Sequence, residues 1–300
     1  MKRMIPLVLA ACLLTGCGGK ESAPPAVSAP SQPAISVEIA DPAPQPAEPV
    51  IYTVTMAAKE STVCTETGET LIATSFRYPV LTAHGVHGDP ITEGNTEREA
   101  AALSVVEAFN DSFADWNSGE DFQGDMEIAM EDYAWRKAEG MDWMGNYAME
   151  LSCTAYQTRR MVSVSGLYYS YTGGAHGNSA HLAWNFDLEN GTFFGPELLG
   201  GAELQTAVAE ELKRQSAERA AEYDALPEEL YWADYEAVLE DWQSSAVSFN
   251  EKGMTVAYSP YELAAYAFGA QVYEIPYEFL EPYLSLQGME LLGLVSPPGA

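Results

Sequence analysis

Basic side chains are scarce in this sequence. Lysine and arginine together number 14 against 44 aspartates and glutamates, for a formal charge of −30 at neutral pH. A field of that sign repels phosphate backbones and anionic lipid, which argues against a nucleic-acid partner and against electrostatic adhesion to a membrane. Long hydrophobic runs are missing too. The apolar stretch Ile5–Leu14 is ten residues, whereas a spanning helix needs roughly twenty. No later segment is apolar enough to cross a bilayer. Cysteine is rare, at four in 300 residues, and histidine is equally rare. Metal sites and acid–base chemistry therefore have few side chains to draw on.

What is present begins at the N-terminus. Met1-Lys2-Arg3 is a basic n-region and Ile5–Leu14 a short h-region, the pattern of a signal peptide. It ends in Leu14-Thr15-Gly16-Cys17, which resembles the lipobox of bacterial lipoproteins. The expectation is removal of residues 1–16 and acylation of Cys17. The folded mass would then sit outside the cytoplasmic membrane, with the lipid anchor as its only membrane contact. Residues 17–50 are rich in Ser, Ala and Pro, with Pro24, Pro25, Pro30, Pro33, Pro42, Pro44, Pro46 and Pro49. Such a composition buries no core and predicts a semi-extended tether.

Processing would leave 284 residues, of which about 250 follow the tether, enough for one large or two ordinary domains. It would also remove Lys2 and Arg3 and take the charge to −32. From Glu222 to Glu290 there are fourteen acidic side chains and one basic, Lys252. This imbalance serves solubility, or it attracts a basic partner. Cys12 leaves with the signal peptide and Cys17 is acylated, so Cys64 and Cys153 remain. An even pair in an exported chain suggests one disulfide, worth ~4 kcal/mol in the chain-entropy model; two free buried thiols are the other reading.

Hydrophobic periodicity places strands at 52–56 and 72–81, then an amphipathic helix over 97–116 with Asn95 or Thr96 as its N-cap. A second helix is expected over 125–138, ending near Gly140. Residues 147–158 and 161–171 follow as two antiparallel strands. Another strand runs over 181–188, and Asn190-Gly191 marks a tight turn. Helices are predicted at 202–221 and, with proline first, at 227–242. A hairpin at 246–249 and 254–258, a strand at 271–275 and a short helix after Pro276 close the chain. Strands and helices come in blocks without a βαβ rhythm, so the expected fold class is α+β with antiparallel sheets and packed helices in two closely associated domains.

The sharpest local signal is Gly173-Gly174-Ala175-His176-Gly177. It is no phosphate loop, because a strand follows it and no Lys-Ser/Thr closes it. The glycines supply positive φ in a tight loop. His176 and His181 lack a third ligand at any defined spacing, so no metal is expected and His176 reads better as a residue hydrogen-bonding to fix the loop. Gly177-Asn178-Ser179-Ala180-His181 misses the second glycine and the helix of a nucleophile elbow. His84 and His87, in a loop with Gly85, Gly88 and Asp89, read as solvated. Tyr168, Tyr169, Tyr171, Trp184 and Phe186 suit either sugar stacking or sheet packing split between two faces. No catalytic constellation and no cofactor site emerges.

The stretch Tyr168 to Gly177, followed by Trp184-Asn185-Phe186-Asp187-Leu188 and Asn190-Gly191, resembles the C-terminal domain of the RsiV extracellular region. Ser259-Pro260-Tyr261-Glu262-Leu263-Ala264, Gly269 and Ile275-Pro276-Tyr277 are similar to the same domain's closing segment. Tyr78-Pro79-Val80 and the helix to Trp116 resemble the partner domain of RsiV and of the deacetylase PdaC. The resemblance implies a PdaC/RsiV-type N-terminal domain over 51–158, an RsiV-type C-terminal domain over 159–284, and a tail over 285–300. It also implies an envelope role in which a basic protein, lysozyme, is the ligand. Too few residues precede the h-region for a sigma-factor-binding segment, and no deacetylase domain is present, so neither activity carries over. The expectation is a non-enzymatic, lipid-anchored binding module for lysozyme or another cationic protein, with Gly173, Gly174, His176 and Gly177 as a binding or structural loop. The alternative is an accessory or enzyme in peptidoglycan or polysaccharide modification.

Overall fold

A computed structural model describes residues 49–118, 123–143, 145 and 147–295. The expected signal peptide, Cys17 and all of the expected tether except Pro49 and Val50 lie outside the described residues. Among those described, the chain is α+β: a six-stranded sheet, a three-stranded sheet and eight α-helices. No helix among them is long and apolar enough to cross a membrane.

The first sheet has the order β1 (Ile51–Cys64), β2 (Thr70–His84), β3 (Tyr147–Gln157), β4 (Met161–Tyr171), β5 (Asn178–Asp187), β6 (Thr192–Phe193). Every neighbouring pair is antiparallel except β2 and β3, which run parallel. That pair departs from the expected all-antiparallel arrangement. A parallel pair requires a crossover, and three helices supply it: α1 (Glu97–Asp111), α2 (Ala114–Ser118) and α3 (Gln123–Ala138). Thr96 starts α1 with a capping box, its Oγ1 accepting from Glu99 N–H at 3.1 Å while Glu99 Oε2 accepts from Thr96 N–H at 2.9 Å. The helix predicted to reach Trp116 stops at Asp111. A tight turn at Ser112 separates it from α2, and Phe109 and Phe113 stay buried on either side of the break.

Asn110 shows what the end of α1 is for. Its amide accepts from Leu81 N–H at 2.9 Å and donates to Leu81 C=O at 3.0 Å. The register of β3 against β2 ends at Arg77, so Asn110 takes the place of a strand partner farther along. Gln157 does the same for the edge of β1, accepting from Val54 N–H at 3.0 Å and donating to Tyr52 C=O at 2.8 Å.

β4 is buried on both faces over Met161–Val164. Val162 and Val164 belong to a core with Phe76, Phe109, Phe113, Leu151 and Phe186 beneath the crossover helices. Met161 belongs to a second core with Leu204, Leu212, Trp242, Val256 and Tyr273. That core lies under α4 (Ala202–Ala221), α5 (Pro227–Leu230) and α6 (Tyr235–Glu240), and is built on the sheet β7 (Ala246–Phe249), β8 (Gly253–Tyr258) and β9 (Gln271–Pro276). Two short helices, α7 (Tyr277–Leu280) and α8 (Leu286–Leu291), end the fold. The single helix expected over 227–242 is two, because Tyr231 leaves helical geometry to bridge Ala264 and Trp232 N–H bonds Leu263 C=O at 2.9 Å.

The two halves meet through buried polar contacts. Ser163 on β4 donates to Asn185 Oδ1 on β5 at 2.7 Å and accepts from Phe249 N–H on β7 at 2.8 Å. Asn185 in turn donates to Val247 C=O at 2.9 Å. The boundary expected at 158/159 falls in the turn between β3 and β4, which pair residue by residue.

The suggested Cys64–Cys153 disulfide is absent. Both thiols are free, Cys64 exposed and Cys153 buried. Cys64 pairs with Thr70, whereas Ser152, just before Cys153, pairs with Arg77. At about 3.3 Å per residue this separates the two by roughly 20 Å along β2, far beyond the ~7 Å Cα limit for a bridge.

Candidate functional site

The loop between β4 and β5 is held from the far end of the chain. Gly173 (φ +94°) and Gly174 (φ +92°) turn the backbone through the left-handed region, and the Tyr171 hydroxyl donates to Gly174 C=O at 3.0 Å. A β-carbon at Gly177 would overlap the Tyr169 ring, so glycine is required there for space. The exposed His176 ring lies on Tyr266, centroids 3.9 Å apart and planes 18° apart. Its Nδ1 is 3.0 Å from Gly177 C=O, which can only accept, so Nδ1 carries the proton. Tyr266 donates its hydroxyl to the same carbonyl at 3.0 Å. His176 therefore ties the loop to the segment after β8, and the glycines serve this geometry.

From Tyr266 a row of aromatic side chains continues across the surface. Tyr261 packs beside Tyr266 at 5.4 Å, and Trp232 Nε1–H bonds Tyr261 C=O at 2.9 Å. Phe268, from the same turn as Tyr266, meets Tyr223 edge-on at 5.9 Å. Tyr223, Trp232, Tyr261 and Phe268 are all exposed. Tyr261 has φ +76°, a conformation costing a bulky residue roughly 1–2 kcal/mol. The turn around it is locked locally: Glu262 accepts from Ser259 N–H at 2.6 Å, and Ser259 Oγ accepts from His181 N–H at 3.0 Å. Burial pushes the half-buried His181 ring below its ordinary pKa, and the charge of Glu262 partly offsets this. The strain holds a large apolar ring out in water.

Carboxylates neighbour these aromatic residues in the sequence. Glu222 and Asp224 flank Tyr223, Asp234 follows Trp232, and Glu262 follows Tyr261; all four are exposed. Residues 202–244, which hold α4, α5 and α6, carry twelve acidic side chains and three basic ones. Each of the three bases is already engaged. Lys213 bonds Glu240 at 2.7 Å and Glu210 at 3.3 Å, Arg214 bonds Glu211 at 2.6 Å and also Glu218, and Arg219 lies over Tyr273 while bonding Gln271 and Val272. The uncompensated carboxylates are therefore left to solvent.

Aromatic faces beside carboxylates suit ammonium and guanidinium groups, through cation–π contact and charge-assisted hydrogen bonds. Among the described residues no group of three or more His, Cys, Asp and Glu is placed to hold a metal. His181 contributes its backbone N–H to Ser259 Oγ. Of the other sequence candidates, Tyr168, Trp184 and Phe186 pack against Trp116, Phe113 and Phe109 under the helices, while Tyr169 and Tyr171 serve the 172–177 loop. His84 is pinned by Thr82 at 2.9 Å and by Gly88 C=O at 3.3 Å. The motif glycines and His176 were readable in the sequence. Tyr266, Trp232 and the strained backbone of Tyr261 were not, because their significance lies in contacts between distant segments.

A crystal structure of a DUF3298 family member from Bacteroides fragilis is similar to this chain at 16% identity, with a TM-score of 0.53, covering 82% of this chain and 98% of that one. A DUF3298 family protein from Pseudomonas aeruginosa aligns at 16% identity and a TM-score of 0.40, over 80% of this chain and 96% of that one. The first likeness shows a shared fold. No curated protein sequence matches the chain. Residues 193–278, which carry Trp232, Tyr261, Tyr266 and the acidic helices, match the family described as "Protein of unknown function (DUF3298)".

Proposed function

We propose that this protein is an RsiV-like extracytoplasmic binding module, anchored by lipid on Cys17, whose exposed aromatic row and bordering carboxylates receive a cationic protein. A lysozyme-like hydrolase is the preferred ligand. One observation carries the reading: Tyr261 is held at φ +76° and exposed, next in sequence to the exposed Glu262, in a domain whose bases on α4 are already paired. A strained, solvent-facing aromatic in an acidic segment is costly for a surface with no ligand and suits one that receives lysine and arginine side chains. The lipobox and the tether support an outward-facing, membrane-held location.

Calorimetric titration with lysozyme at physiological salt tests the binding. Saturable binding that slows in association as salt rises supports the reading, and undetectable binding at high micromolar concentration retires the lysozyme version. Exposed rings also stack on sugars, so a parallel titration with peptidoglycan fragments is informative. Glycan binding without lysozyme binding favours the polysaccharide alternative. Palmitate labelling that is lost in Cys17→Ala tests the anchor.

A further inference from the structure

Where the two sheets meet, hydroxyl groups from both line a cleft. Thr154 on β3 pairs with Ser165 on β4, and Ser248 on β7 pairs with Thr255 on β8. Directly opposed residues share a face of their sheet. Val247 and Phe249, the neighbours of Ser248, belong to the second core, so alternation puts Ser248 and Thr255 on the other face of the small sheet. With Ser163, Tyr156 and Glu251 these residues enclose about 270 Å³. That is just below the ~300–1,000 Å³ of sites for drug-sized ligands and suits one small ring.

Ser248 is the informative residue. It is 6% exposed, yet its hydroxyl makes no hydrogen bond among the described residues. A polar group so enclosed is nearly always paired, and the opening left to this one is the cleft it lines. The hydroxyls of Thr154 and Ser165 are also without a partner among the described residues. Ser163 is spent, bonding Asn185 and Phe249 N–H to hold β7 against the first sheet. Asn250 fixes the hairpin at the mouth: its Oδ1 accepts from Lys252 N–H at 2.8 Å and Gly253 N–H at 3.2 Å, and its Nδ2 donates to Thr255 Oγ1 at 3.3 Å. The walls are therefore set before any ligand arrives. Their chemistry selects it. Hydroxyls both donate and accept, and among the described residues no lysine or arginine contacts with the ligand space are offered except at its outer margin, since neither residue type lines the cleft. Glu251 is exposed and makes no ion pair among the described residues; it repels an anion and accepts strongly from a ligand hydroxyl. Tyr156 supplies an aromatic wall for an apolar ring face.

We propose that this cleft binds one neutral pyranose unit, free or at the end of a glycan. Its hydroxyls bond Ser248, Ser165, Thr154 and Glu251, and its C–H face lies on Tyr156. The proposal shares no residue with the cationic-partner surface and does not depend on that reading.

Methyl β-glucoside is the probe, with glucuronate as the same ring carrying a carboxylate. Titration of the full chain, followed by amide chemical shifts, should give saturable changes around Thr154, Ser165 and Ser248 at millimolar probe, with glucuronate at least about tenfold weaker. Ser248→Ala and Thr154→Val should each weaken the glucoside roughly fivefold, the value of one lost neutral hydrogen bond. Both should leave the thermal unfolding midpoint in place, since neither hydroxyl bonds another described residue. Absence of saturation at millimolar probe, glucuronate binding as tightly as the glucoside, or unchanged affinity in both variants overturns the proposal. Cellobiose separates the two sources of the ring: binding with the same dependence on Ser248 assigns the end of a glycan, and no binding assigns a free sugar. Ser248→Ala should leave the lysozyme titration unaltered, so either reading can fail without the other.

Discussion

Replacing Asn185 by leucine keeps the side-chain volume and removes two hydrogen-bonding atoms from the buried junction between the sheets. Asn185 Nδ2–H donates to Val247 C=O at 2.9 Å, and Asn185 Oδ1 accepts the Ser163 hydroxyl at 2.7 Å. Both Asn185 and Ser163 are buried, so water cannot take over. The carbonyl of Val247 and the hydroxyl hydrogen of Ser163 are stranded, and each stranded group costs about 1–3 kcal/mol. A loss of about 3 kcal/mol is therefore expected, a large part of the ~5–15 kcal/mol that holds an ordinary domain together. Urea unfolding followed by tryptophan fluorescence measures it. Trp184 packs against the first core and Trp242 lies in the second, so single-tryptophan versions report each half separately. Both halves should shift together to lower urea. Adding Ser163→Ala to Asn185→Leu should cost much less than the sum of the two single losses, because each removes the other's partner. A loss below about 0.5 kcal/mol, or strict additivity, refutes the claim that these contacts join the halves.

Three further outcomes follow from single positions. Tyr261→Gly should leave the fold as stable or more stable by about 1 kcal/mol, since the left-handed backbone no longer carries a β-carbon; the same change should weaken lysozyme binding in the calorimeter, and a destabilised fold with intact binding contradicts both roles. A maleimide should label Cys64 in the native protein and Cys153 only after denaturation, because Cys153 is buried and its pKa is pushed up to about 12 by desolvation; equal labelling rates refute this. The folded-state pKa of His181 lies below the ordinary 6.5, so the unfolded chain binds the proton more readily and the neutral ring favours folding above that pH. Its contribution is lost as pH falls through 6.5 toward the depressed folded value, and His181→Gln should flatten the stability–pH curve in that window; an unaltered curve excludes a contribution.

The sequence carried the elements that local rules determine. The helix over 202–221, an N-cap at Thr96, one of the two residues expected there, and the hairpin around Lys252-Gly253 all follow from spacing, capping and turn chemistry, and the structure has them there. It could not show that β2 and β3 run parallel, since nothing within either strand depends on which neighbour it meets. Nor could it show that Tyr231 and Trp232 interrupt the apolar stripe of 227–242. Their periodicity is helical, and the bonds that win, to Ala264 and Leu263, come from more than thirty residues away. The candidate site divides the same way. Gly173, Gly174 and His176 announce an unusual loop, but the ring stacked on His176 belongs to Tyr266, and a left-handed tyrosine is the last residue that propensity would place at position 261.

The free thiols make the same point about stability. A Cys64–Cys153 bridge would have closed a long loop and restrained the unfolded chain; its absence leaves the strand edges to be secured by other means. Three primary amides do this: Asn110 clamps Leu81 on β2, Gln157 clamps β1 between Tyr52 and Val54, and Asn185 joins β5 to Val247 on β7. Asn110 and Gln157 each offer a donor and an acceptor to backbone groups, which is the service a paired strand performs, whereas Asn185 donates to one backbone carbonyl and accepts the Ser163 hydroxyl. A disulfide acts mainly by limiting the unfolded ensemble, whereas these clamps act in the folded one and punish any slip in register by orphaning two hydrogen-bonding groups at once. The long β1–β2 hairpin and the junction of the two sheets are therefore held in register by side chains whose identity as Asn or Gln, read in the sequence alone, suggests nothing more than surface polarity.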